Sequence, residues 1–123
     1  MGLLDGKRLL ITGVLTDASL AYGVAQMALD EGAEIVLTGT GRALRLTQRT
    51  ARKLSSDVEV LELDVTQPGH VTAVRDHLAA KWGRVDGALH AIGFMPEVGL
   101  GEDFMAAKWD EISVGFDISA FSL

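Results

Sequence analysis

Four short runs rich in branched aliphatic residues alternate with stretches of helical periodicity along this 123-residue chain, and that alternation constrains its fold more than any other feature. Strands separated by helix-length connections pair in parallel, in a sheet covered on both faces. The first run, about Arg8 to Thr12, leads through Gly13 into a helix from about Leu20 to Glu31. There Leu20, Val24, Met27 and Ala28 recur at helical spacing, and Gly32 is the stop. The second, Glu34 to Thr38, ends in Thr38-Gly39-Thr40-Gly41-Arg42, and helical sequence resumes from Ala43 to Leu54. The third, Val58 to Leu63, ends at Asp64-Val65. Pro68 then opens a helix to Trp82, with Val71, Val74, Leu78 and Trp82 on one side. The fourth, Ala88 to Ile92, includes His90 and ends in Gly93-Phe94-Met95-Pro96. Gly99 and Gly101 predict a mobile loop. From about Phe104 a last helix is expected, with Trp109, Ile112, Phe116, Ala120 and Leu123 at intervals of three or four. Right-handed crossovers order the strands 3-2-1-4.

Strand, glycine turn and helix in succession, as in Leu9 to Gly23, make a phosphate site. Gly13 lacks a Cβ, so backbone can approach a pyrophosphate there. Ser19 falls at an N-cap or phosphate-facing position, and Gly23 is expected to let the helix lie tightly on the strand. The spacing departs from G-x-G-x-x-G, and a lone glycine turn serves packing equally well. In a parallel sheet, ligands bind beyond the carboxyl ends of the strands. These ends are Gly13, Gly39 to Arg42, Asp64-Val65 and Ile92-Gly93, although strand ends are commonly polar and glycine-rich for structural reasons alone. Asp64 has two readings: an acceptor for an adenine amino group, with Val65 offering its N–H, or an Asx-turn aspartate. Thr40-Gly41-Arg42 has neither the acid that selects NAD nor a clear basic pocket for NADP. The basic residues of Arg42 to Lys53 are most simply a solvated face, Arg42 excepted because it stands at a strand end.

A net charge of -6 argues against a nucleic-acid surface. The absence of cysteine removes disulfides and thiolate metal sites. His70, His77 and His90 are scattered, so no metal site is expected, and no Ser-His-Asp set is present. No secretory signal or membrane span is legible, and a cytoplasmic protein is expected.

Taken together, these motifs resemble the N-terminal part of the NADH-dependent enoyl-acyl-carrier-protein reductases, divergent short-chain dehydrogenases/reductases, nearest the mycobacterial type of mycolic-acid synthesis. The likeness runs through Gly2-Leu-Leu-Asp-Gly-Lys-Arg8, Thr12-Gly13 with Ser19-Leu20-Ala21, Leu37-Thr38-Gly39, Leu61-Glu62-Leu63-Asp64-Val65, His90 to Pro96 and Ile118-Ser119-Ala120. It implies an α/β, Rossmann-like doubly wound sheet, with residues 1–123 the N-terminal portion of a single dinucleotide-binding domain. It implies a homotetramer when complete, acting on an enoyl thioester carried by acyl carrier protein or CoA, with hydride passing from NADH to C3 and protonation at C2. By resemblance Gly13, Ser19 and Leu20 hold the pyrophosphate, Thr40 packs on adenosine, Asp64 and Val65 contact adenine, Ile92 and Gly93 lie beside the riboses, and Phe94 borders the acyl pocket.

Two departures bear on cofactor choice. Ala91 stands where the family has serine, and Thr40 to Arg42 replaces an aromatic loop, leaving NADPH open beside NADH. The family's catalytic Tyr-x6-Lys is absent from these residues, so no catalytic residue is assigned and the isolated chain is expected to be inactive. The competing expectation is a stand-alone NAD-binding or interaction half-domain.

Overall fold

The computed structural model describes residues 2–101 and 103–123. Its contacts divide the chain into two compact units, one running to Ala91 and the other Ile92–Leu123.

The first unit is a four-stranded parallel sheet ordered β3-β2-β1-β4. Its strands are β1 (Arg8–Ile11), β2 (Glu34–Gly39), β3 (Glu59–Glu62) and β4 (Gly87–Leu89). Helices α1 (Leu20–Asp30), α2 (Leu44–Leu54) and α3 (Pro68–Trp82) connect them. Leu10 pairs with Val36 on one side and Ala88 on the other, and Leu37 pairs with Val60, the in-register parallel arrangement that the alternation predicts.

Because successive strand residues point to opposite faces, β2 supplies two cores at once. Ile35 and Leu37 join Ile11 and Val14 beneath the alanines of α1 and Ala51 of α2. Val36, from between them, meets Val74, Leu78 and Trp82 of α3. Such two-sided burial explains why β2 reads as a continuous apolar run rather than an alternating one.

The buried face of α1 differs from the one its large apolar residues predict. Ala21, Ala25 and Ala28 are buried, whereas Leu20, Val24 and Met27 are exposed. Three small side chains in register let the helix axis approach the sheet closely, a role the sequence reading placed on Gly23. Gly23 is exposed, and a Cβ built on it meets nothing within 4 Å. Gly23→Ala should therefore stabilise the protein by about 0.5–1 kcal/mol, through helix propensity and a stiffer unfolded chain. A denaturant titration checks this, and a destabilised variant would restore the close-packing role to Gly23.

The fourth strand stops earlier than its sequence suggests. The Thr12 N–H and hydroxyl both donate to the Leu89 carbonyl, at 3.0 and 2.8 Å, and the same hydroxyl accepts from the Ala91 N–H at 2.9 Å. A side chain thus replaces the ladder beyond Leu89, which leaves His90 after the strand rather than inside it.

In the second unit, 3-10 turns at Glu97–Gly99 and Phe104–Ala106 precede α4 (Trp109–Phe116), which runs on into a π turn at Asp117–Phe121. Gly99 and Gly115 both accommodate the Met95 thioether: a Cβ on either would lie within 2.9 Å of the Met95 sulfur. Gly99 therefore serves close packing, rather than loop mobility as its sequence context suggests. Among the described residues no helix is long and apolar enough to cross a membrane.

Candidate functional site

Because all four strands are parallel, their carboxyl ends share one edge of the sheet, and Gly13, Thr40, Asp64 and Val65 are brought together there. Gly13 follows β1 with φ +82°. A Cβ on it would collide with the Ala91 carbonyl, so the turn at this edge is open to glycine alone.

From Gly13 the chain forms a loop tied down at nearly every residue. Val14 is wholly buried in the core under α1 and α2. Its carbonyl accepts from the Thr47 hydroxyl at 2.7 Å, and the Leu15 carbonyl accepts from the Thr50 hydroxyl at 2.7 Å. The Leu15 and Thr16 N–H groups both donate to Ser19 Oγ at 3.1 Å. Ser19 is at the N-cap of α1, as its sequence position predicts, but its hydroxyl makes no capping bond to the helix. The N–H groups of Leu20 and Ala21, as the first residues of the helix, have no intrahelical acceptor and carry the positive end of its dipole.

At the neighbouring strand ends, Thr40 is exposed and leads into a 3-10 turn, Gly41–Ala43, that carries Arg42. Asp64 is half-buried, and its Oδ1 accepts from both the Thr66 N–H at 2.9 Å and the Thr66 hydroxyl at 2.6 Å. This is the Asx-turn geometry of the structural alternative. Among the described residues Oδ2 has no hydrogen bond, so the turn leaves an acceptor available for a ligand. The Asp64 N–H donates to His70 Nδ1 at 3.0 Å, so His70, from the first turn of α3, orders the end of β3.

The Thr66 hydroxyl bond, then the Thr66 N–H bond, hold the Asp64 carboxyl below its ordinary value, against a smaller opposing effect of burial. A carboxylate lowered on folding stabilises the protein above its unfolded pKa of about 4, and that contribution is lost as pH falls through the lowered value. Thr66→Val removes the larger cause, and the Asp64 pKa should rise toward its ordinary range. NMR titration of the carboxylate reads the shift directly; an unmoved value would show that Thr66 does not hold the charge.

Ile92, Gly93 and Phe94 belong to the second unit. The Phe94 N–H donates to Ser119 Oγ at 2.9 Å, and the Ser119 hydroxyl donates to the Phe94 carbonyl at 3.0 Å. Among the described residues no group of three or more His, Cys, Asp or Glu side chains could hold a metal ion. Tyr22, the chain's single tyrosine, packs half-buried against the α1 core.

Sequence reasoning gave no structural role to Thr12, Thr47, Thr50, Thr66 or His70. A signal for two of them was present: Thr47, Thr50 and Ala51 share one helical face, and hydroxyls at core spacing require buried acceptors.

A protein-family model described as enoyl-(acyl carrier protein) reductase matches residues 13–123. The chain belongs to this family. Among its relatives, the NADH enoyl-acyl-carrier-protein reductase of Mycolicibacterium smegmatis is 44% identical over 125 residues, covering 98% of this chain and 46% of the relative. The Mycobacterium avium reductase is 39% identical with the same coverage. That of Escherichia coli is 38% identical, over 99% of this chain and 47% of the relative. The chain thus spans about half the length of the curated relatives it matches. Its parallel 3-2-1-4 sheet with flanking helices is the Rossmann-like α/β arrangement expected for an enoyl reductase.

Proposed function

We propose that the complete protein carrying this chain is an NADH-dependent enoyl-acyl-carrier-protein reductase, and that these residues form its cofactor-binding part. The Gly13 loop is the observation that carries the reading. A positive φ, a close approach of the Ala91 backbone and a helix opening beyond Ser19 together make a backbone cradle suited to a pyrophosphate.

In this cradle Gly13 makes room for the Ala91 backbone and sets the left-handed turn that leads the chain to the helix, while Ser19 and Leu20 direct donors at phosphate oxygens. Thr40 packs against adenosine. Asp64 Oδ2 accepts from the adenine amino group and Val65 offers its N–H. Ile92 and Gly93, matched to the family by sequence, lie beside the riboses, and Phe94 borders the acyl chain. NADH, when bound, supplies the hydride that reduces C3 of a trans-2-enoyl thioester on acyl carrier protein or CoA. The missing acid at Thr40 to Arg42 leaves NADPH as a second donor. A cytoplasmic homotetramer is the assembly the family resemblance supports.

The test is NADH oxidation by the complete protein with a trans-2-enoyl-CoA. Turnover with saturable NADH binding supports the proposal. Saturable NADH binding without turnover would favour a binding half-domain, and no NADH binding would overturn the cofactor assignment.

A further inference from the structure

We propose that Thr47 and Thr50 of α2 are positioning residues for the dinucleotide, acting through the Gly13 loop to make Ser19 a dedicated phosphate donor. This rests on the NADH reading above.

Thr47 and Thr50 are buried, at 0% and 3% exposure. A threonine hydroxyl inside a helix usually bonds back to a carbonyl of its own preceding turn. Here both donate off the helix, to the carbonyls of Val14 and Leu15. A peptide unit is planar, so holding its carbonyl also aims the N–H of the next residue. Thr47 thereby orients the Leu15 N–H, and Thr50 the Thr16 N–H. Those two N–H groups are the ones that converge on Ser19 Oγ. Each of the two peptide planes is clamped at both ends, by an α2 hydroxyl on its oxygen and by Ser19 on its N–H.

A serine hydroxyl has two acceptor lone pairs and one proton. The Leu15 and Thr16 N–H groups occupy both lone pairs, so the remaining capacity of Ser19 is to donate. An O–H restricted to donation, at the N-cap of α1, is matched to an anionic oxygen and mismatched to a cation or an N–H. Thr47 also packs on the end of β2, where a Cβ at Gly39 would lie 3.1 Å from its Cβ and Oγ1. It is therefore wedged between the loop after β1 and the residue preceding Thr40. The exposed Lys53–Asp17 pair, at 3.1 Å, spans α2 and the same loop but is solvated on both sides and adds little.

The experiment measures NADH affinity of the complete protein and of T47V, T50V, T47S and T50S, well below each thermal midpoint. The valine variants should weaken NADH about three- to tenfold, and the serine variants should remain within about twofold of the parent. T50V decides the matter if T47V does not fold, because the Thr50–Leu15 bond is only part-buried whereas the Thr47–Val14 bond is fully buried. Unchanged affinity in T50V overturns the proposal even if its thermal midpoint falls, since the threonine would then be structural only. Equal weakening by T50S and T50V also overturns it, because the hydroxyl would not be the agent. If the parent itself fails to bind NADH, the cofactor assignment falls and takes this proposal with it; parent binding with unaffected variants removes this proposal alone.

Discussion

Gly13→Val is expected to abolish measurable NADH binding by the complete protein and to destabilise the fold by about 3 kcal/mol or more. Two independent penalties combine at this position. The backbone holds φ +82°, where a β-branched residue is a genuine outlier and the left-handed conformation alone costs about 1–3 kcal/mol. The added side chain must also displace the Ala91 carbonyl, which a Cβ on Gly13 would overlap, in a residue whose N–H is held by the Thr12 hydroxyl. Overpacking of this kind adds about 1–3 kcal/mol. The loop escapes by rotating away from its glycine conformation, and the N–H groups beyond it lose their aim. Chemical denaturation reads the stability loss and an NADH titration of the complete protein reads the binding loss. A variant that binds NADH like its parent would show that the turn is a packing feature and no cradle.

A polypeptide of these 123 residues alone is expected to give no enoyl-thioester reduction with NADH, at concentrations where the reductase activity proposed for the complete protein is measurable. Reduction at C3 places negative charge on the thioester oxygen, and a donor must meet that charge as it develops. Removing one such donor typically costs about 10²- to 10³-fold in rate. The single tyrosine, Tyr22, packs half-buried against the α1 core, on the helix whose N-terminus is proposed to face phosphate. No other phenol exists in the chain. The assay compares NADH oxidation by equal molar amounts of the 123-residue chain and the complete protein. Turnover by the short chain within tenfold of the complete one would mean that the electrophilic group lies among residues 1–123 and has been overlooked.

Periodicity was enough to specify the parallel sheet and the edge that carries the candidate site, and the 3-2-1-4 order followed from right-handed crossovers in the Rossmann pattern. Apolar runs too short for helices, joined by segments too long for hairpins, leave few alternatives once crossovers are right-handed. Gly13, Thr40, Asp64 and Val65 were legible as candidates for the same reason, since topology places every strand's carboxyl end on one edge. Side-chain logic was harder to read. The packing face of α1 follows its alanines, because the helix lies close to the sheet and large residues do not fit beneath it. The end of β4 depends on a threonine 77 positions earlier in the chain, whose hydroxyl takes over the ladder. The ties from Thr47 and Thr50 to the Gly13 loop join residues 33 and 35 positions apart. Local sequence carries the preference of a segment for helix or strand, but the partner of a buried hydroxyl is decided by what the folded chain brings against it.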